Sequence, residues 1–281
     1  MNLPVIVFGA RGMLGTDLME CLRRRGVAAQ GYDLPEFDIT NAGHIEGVVG
    51  QAKQFINCAA YTNVEKAESE AEMAFRVNGR AVGQLGRQAA KRNIPVLHIS
   101  TDFVFDGMLN RPYVEIDAVN PLSAYGKSKY EGEKALSTSG CRFCIVRVQW
   151  TYGKAGINFV KKLLDTARAG KPLRVVDDQV GSPTATREAA EVLCRMIELP
   201  MFPEGLYHLA AKGYVSRYKM AQFIFDTLKM EVDLSSCKTS DFPSAAKRPL
   251  NSRFNCGKLE KLMGTAMRPW QEPLREYLEQ L

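Results

Sequence analysis

The sequence predicts an α/β fold, a doubly wound parallel sheet with helices on both faces and a smaller C-terminal lobe. Three observations carry this. Short, continuously apolar runs in the first half alternate with stretches of helical periodicity. The first of those runs ends in a cluster of glycines that opens a helix. Beyond Trp150 the alternation becomes irregular.

Taken in order, Leu3 to Phe8 reads as a buried strand, and Met13 to Arg25 as a helix with Leu14, Leu18 and Leu22 on one face. Val27 to Tyr32 and Gln54 to Cys58 read as the next two strands. Ala74, Val77, Ala81, Leu85 and Ala89 recur at helical spacing, predicting one helix over roughly Ala71 to Arg92. Pro95 to Ile99 is a strand, and a long loop leads to a helix from Ser123 to Ser137 and a strand from Arg142 to Val148. Later come a helix near Asn158 to Ala169, a loop over Val176 to Thr186, and a helix to Leu199. A strand at Leu206 to Leu209 and a helix at Ser216 to Leu228 follow. Residues 1–149 are therefore assigned to the sheet domain and 150–281 mainly to the second lobe, with some later elements returning to the sheet.

Composition narrows the class of partner. The chain has 281 residues, 46% of them hydrophobic and 24% charged, which is ordinary for a folded globular protein. The net charge of +6 comes from 37 basic and 31 acidic residues scattered without a stripe, so nucleic acid is not an expected partner. No window of about 18 apolar residues predicts a membrane span. The start of the chain lacks the charged and apolar regions of a leader. Cys141 and Cys144 flank a predicted strand with no second pair to complete a zinc site, and seven cysteines lack the density of a disulfide scaffold. Reduced thiols in the cytoplasm are the expectation. His98 and His208 fall in predicted strands and His44 in a surface helix, none at a metal-ligand spacing.

The first strand ends in Gly9-Ala10-Arg11-Gly12-Met13-Leu14-Gly15, a G-x-x-G-x-x-G run between a strand and a helix. Glycines there permit a tight turn and let backbone N–H groups reach a pyrophosphate, whose charge the helix dipole favours. Glycines also serve a plain turn, but with this strand and helix around them the expectation for residues 1–149 is a dinucleotide-binding, Rossmann-type domain. Asp33 ends the second strand, where an acid suits the adenosine ribose of NAD, although a solvated turn uses the same residue. Arg11 points the other way, since a guanidinium in this loop can pair with the 2′-phosphate of NADP. Asp38 and Ile39 can bracket an adenine, and Ala59, Ala60 and Tyr61 close the third strand where a cofactor would cross.

Tyr125-Gly-Lys-Ser-Lys129 places a phenol and an ammonium on one face of a helix, four residues apart. The ammonium can lower the phenol from its usual range, and a phenol so tuned can protonate a carbonyl oxygen as hydride reaches the carbon. Thr101, at the end of the fourth strand, can hydrogen-bond that carbonyl; strand-end capping is its plainer reading.

These motifs resemble the extended short-chain dehydrogenase/reductase superfamily, and longer stretches resemble the dTDP-4-dehydrorhamnose reductase family. The resemblance is carried by Asn57–Glu68, Ser100–Asp106, Pro121–Lys134, Trp150–Tyr152, Asp178–Thr184, Gly205–Leu209 and Arg248–Arg253, nearly the whole chain. It implies reduction of the C4 ketone of dTDP-4-dehydro-L-rhamnose, with NADPH or else NADH as donor. It also implies Tyr125 as acid, Lys129 as its activator and ribose anchor, and Thr101 as carbonyl partner. Asp102, Phe103 and Trp150 would line the sugar pocket, the indole offering a flat face, with a core aromatic as the alternative. Arg248 and Arg253 would meet the diphosphate, although surface ion pairing explains them as well. Some members resemble metal-bridged dimers; Asp17 stands where one ligand would, but the other ligands find no match here, so no metal is expected and a homodimer is left open. The alternative readings of this chain are a non-catalytic dinucleotide-binding subunit resembling the beta subunit of methionine adenosyltransferase, and another nucleotide-sugar reductase or epimerase.

Overall fold

The computed structural model describes residues 3–242 and 244–281. Strand β1 (Val5–Phe8) is buried on both faces, as its unbroken apolar run demands. Helix α1 (Met13–Arg24), β2 (Ala29–Tyr32), α2 (Ala42–Val49) and β3 (Gln54–Asn57) follow. Two short helices, α3 (Lys66–Ser69) and α4 (Ala71–Phe75), lead through a π-helical turn at Arg76–Arg80 into α5 (Ala81–Ala90). Then come β4 (Val96–Thr101), a 3₁₀ turn at Asp102–Val104, α6 (Ala124–Ser137) and β5 (Phe143–Val148). The glycine turn and Thr101 thus sit at the C-terminal ends of strands, and Tyr125 and Lys129 on helix α6.

The chain continues through β6 (Thr151–Tyr152), α7 (Phe159–Arg168), β7 (Leu173–Val176), β8 (Val180–Gly181), β9 (Thr184–Ala185) and α8 (Thr186–Ile197). It finishes with β10 (Gly205–Leu209), β11 (Val215–Ser216), α9 (Arg217–Leu228), β12 (Leu234–Cys237), α10 (Gly257–Met263) and α11 (Gln271–Leu278). The main sheet has the order β10-β5-β4-β3-β1-β2, and every pairing in it is parallel. The chain leaves β1 toward β2 and returns on the other side to β3. Strand direction of travel therefore reverses at β1/β3, and such a switch point opens the crevice in which ligands of doubly wound sheets bind.

Alternation along β1 distributes the core. Val5 and Val7 pack with α1, α8 and α10 through Leu18, Leu22, Leu193 and Leu259. Ile6 and Phe8 pack with α2, α5 and α6 through Ile45, Leu85 and Leu136. The second lobe has its own core, in which Val160, Leu164, Leu173, Ile224, Trp270 and Leu274 meet. Helices α8 and α10 and strand β10 belong to the main sheet although they lie beyond residue 149. No helix among the described residues is long and apolar enough to cross a membrane.

Two sequence expectations change. The single helix over 71–92 contains the π turn, because Asn78 leaves the apolar stripe's pattern to bond elsewhere: its amide holds Tyr61 N at 2.8 Å, Tyr61 O at 3.0 Å and Ser128 Oγ at 2.9 Å. The loop over 176–186 contains β8 and β9, two-residue strands too short to leave a periodic signal.

Candidate active site

A cleft of about 1400 Å³ runs along the C-terminal edge of the sheet, from the end of β2 past the glycine turn to α6 and the second lobe. At its floor Gly9 has φ +73°, and a Cβ there would stand 2.5 Å from Ala59 N. Only glycine lets the turn lie this close to the end of β3. Helix α1 follows the N-cap Gly12, which offers its first-turn N–H groups no side-chain cap, and Gly12, Met13, Leu14 and Gly15 line the cleft. An uncapped helix N-terminus behind a tight glycine turn fits a dinucleotide's pyrophosphate.

The end of the cleft beside β2 is built from Asp33, Leu34, Phe37, Asp38 and Ile39. Asp33 accepts Arg11 N at 2.7 Å and Leu34 N at 2.8 Å, which locks its carboxylate at the strand end. The Arg11 side chain pairs with Glu36 at 2.8 Å. Asp38 accepts Thr40 N at 2.8 Å, and Ile39 is buried. Ala59 and Ala60 line the cleft; Ala10 and Tyr61 do not. Ala10 packs against Gly31 of β2, and Tyr61 turns its hydroxyl to Glu70 at 2.6 Å.

The opposite end is carried by β4 and α6. Ser123 caps α6 by accepting Gly126 N at 3.1 Å, which starts the helix two residues before Tyr125. A Cβ on Gly126 would meet Phe103 O at 2.2 Å, so that glycine brings α6 against the 3₁₀ turn. Tyr125 consequently stands edge-on to Phe103, ring centroids 5.4 Å apart. The Thr101 hydroxyl donates to Asp102 Oδ1 at 3.1 Å and accepts Phe103 N at 3.2 Å. Thr101, Asp102, Phe103, Tyr125 and Lys129 all line the cleft.

Electrostatics here correct one expectation. Burial pushes the Tyr125 phenol up to about 12, with the Thr101 hydroxyl pulling it back and the Asp102 carboxylate pushing it further. Lys129 acts on other groups in this structure. It donates to Ile99 O at 2.6 Å and lies 3.5 Å from His98 Nε2, and burial brings it down to about 8. His98, buried and held at Nδ1 by Asn57 at 3.1 Å, is pushed well below its ordinary value by burial, the Lys129 ammonium adding to that. Burial likewise raises the Asp102 carboxyl, against the Ser252 and Thr101 hydroxyls.

At the second lobe, Trp150 lines the cleft with φ +46°, and its expected open face carries a cation. The Arg217 guanidinium lies 3.5 Å over the indole centroid and 4.8 Å from that of Phe159. Arg217 is brought down to about 9 by burial, with Asp102 opposing. Nothing in the sequence marked this arginine at the start of α9, because its value comes from a lobe folding back onto β4. Arg248 reaches the cleft but is tied to Glu65 and Ser244. Arg253 does not: it bonds Asn251 Oδ1 at 2.8 Å and Asn110 O at 2.7 Å, against the loop before α6, so it is removed from the diphosphate reading. Asp17 accepts a hydrogen bond from Thr186, and no group of three metal-ligating side chains occurs among the described residues.

A parallel sheet of this order, a glycine turn at its switch point and a Tyr-x-x-x-Lys helix facing it define a nicotinamide-dependent oxidoreductase on the extended short-chain dehydrogenase/reductase plan. The RmlD substrate binding domain model matches residues 1–281, and the chain belongs to that family. It is 38% identical to a dTDP-4-dehydrorhamnose reductase of Aggregatibacter actinomycetemcomitans, over 96% of this chain and 97% of the relative. A dTDP-4-dehydrorhamnose reductase structure from Clostridium acetobutylicum superposes with a TM-score of 0.94 at 35% identity, covering 99% of both chains. One from Bacillus anthracis, in complex with NADP, gives 0.94 at 32% identity over the whole of both chains.

Proposed function

We propose that this chain reduces the C4 ketone of dTDP-4-dehydro-L-rhamnose to dTDP-L-rhamnose, with NADPH as donor and NADH as an alternative. The observation that carries this reading is the convergence of the glycine turn, Thr101 and Tyr125 on one cleft. Bound at the glycine turn, the reduced nicotinamide coenzyme supplies hydride to the ketone carbon. Tyr125 carries its proton at neutral pH, as any phenol does and as burial reinforces, and passes it to the ketone oxygen as charge develops there. Thr101, held at its lone pair by Phe103 N, fixes the direction of that oxygen by turning its proton from Asp102 Oδ1 to the ketone. Lys129 holds a ribose hydroxyl from its seat on Ile99 O.

Arg217 and Arg248 place positive charge where the second lobe meets the cleft, which suits a sugar diphosphate. Gly181 backs onto the indole of Trp150, where a Cβ would come within 2.7 Å, so the ring is a fixed wall. We place the reaction in the cytoplasm, which the seven free cysteines suit. The test follows NADPH absorbance with dTDP-, UDP- and GDP-linked 4-ketosugars. Turnover of the dTDP sugar at least tenfold above the others is expected; preference for another nucleotide, or no reduction of any, overturns the assignment.

A further inference from the structure

NADPH and NADH differ by one 2′-phosphate on the adenosine ribose, so the choice between them rests on the coenzyme reading above and is made at the end of β2. Asp33 there is an acceptor only, both its oxygens already holding backbone N–H groups at 2.7 and 2.8 Å. A ribose hydroxyl can still donate to its remaining lone pairs; a phosphate meets like charge. Arg11 is the one cation lining the cleft in the stretch from Phe8 to Ile39. Its guanidinium is already engaged, with Glu36 Oε2 and Leu34 O each at 2.8 Å. The same contact holds the Glu36 carboxyl below its ordinary range.

We propose that Glu36 sets the coenzyme preference of this chain, by holding Arg11 in an ion pair from which a 2′-phosphate must draw it away. A dianionic phosphate forms two parallel hydrogen bonds with a guanidinium and is the stronger partner. NADPH therefore binds at the cost of the pair, whereas NADH leaves it intact. Glu36 does not line the cleft and acts only through Arg11. Both side chains are about two-thirds exposed, at 63% and 66%, so the pair is weak and the expected effect is modest.

The experiment titrates NADPH and NADH into the full chain by fluorescence of the reduced coenzyme, with no sugar present. Glu36→Gln should tighten NADPH about three- to fivefold and leave NADH within about twofold, and the gain should shrink in 0.5 M salt. Glu36→Asp, which keeps the charge, should stay near the parental ratio. In an Arg11→Ala background, where NADPH is weakened, Glu36→Gln should have no further effect on it. A preference that ignores Glu36, or an equal tightening of both coenzymes, overturns the proposal alone. A parent chain that binds neither coenzyme overturns it together with the reading beneath it.

Discussion

The two ends of the cleft hold charge in opposite ways. Around α6 the ionisable groups are enclosed: Lys129 and Asp102 are each 2% exposed. Burial is the first influence on Tyr125, Lys129 and Asp102 alike, favouring the neutral form of each. At the end of β2, Arg11 and Glu36 stand in solvent, and Glu36 owes its shift first to its partner. Proton positions at the enclosed end are set by the whole fold. Charge at the open end is set by a single contact, which one substitution can rewrite. Chemistry and coenzyme choice can therefore change independently.

The largest break in that comparison is at the phenol. Tyr125→Phe removes the proposed proton donor but keeps the ring against Phe103. kcat should fall about 10²- to 10⁴-fold, while NADPH affinity stays within about twofold. A variant that turns over at the parental rate removes Tyr125 from the acid role. Loss of coenzyme binding would instead show the ring to be part of the coenzyme's wall.

Beneath the enclosed end lies a buried ion pair. Arg147 Nη2 meets Glu133 at 2.6 Å with both side chains nearly inaccessible, and Ser100, next to Thr101, donates to the same carboxylate. Glu133→Gln leaves an unpaired guanidinium in the core and should cost about 3–5 kcal/mol in chemical denaturation. Cutting the Arg11–Glu36 pair should leave the unfolding midpoint where it was. Equal costs for the two cuts would erase the distinction between the ends.

The sequence made the fold legible where periodicity was long. Buried strands such as Val5–Phe8 and the 14-residue α6 carry unmistakable patterns, and the glycine turn announces its own context. It was silent where an element is two residues long, as in β6, β8, β9 and β11, since no period fits in two positions. Site residues were legible when the function needs a local spacing, as with Tyr125 and Lys129. Arg217 and Asn78 were not, because each acquires its role from a segment far along the chain: Arg217 from Trp150, Asn78 from Tyr61 and Ser128. Arg253 misled for the converse reason, since a motif shared along the chain does not say which way a side chain turns. Spacing also put Lys129 on the helix face of Tyr125, but it could not show that the Ile99 carbonyl of β4 holds the ammonium.

That anchored lysine leads to a smaller effect. Lys129 is a base whose burial lowers it from an ordinary 10.5 to about 8, so its positive charge is present below that value and lost as pH rises through it. The coenzyme is an anion, and an ammonium beside its ribose, as proposed above, favours its binding only while charged. If binding requires the protonated lysine, NADPH affinity should weaken about tenfold between pH 7 and pH 9, following the fraction still charged. The open end supplies the control. Lys129→Met should therefore bind NADPH more weakly at pH 7 and show a flat profile to pH 9, whereas Arg11→Ala should be weak but keep the parental slope. A parental profile that is itself flat would mean that the buried amine holds its ribose hydroxyl equally well without charge, and that the enclosed end positions coenzyme by hydrogen bonding alone.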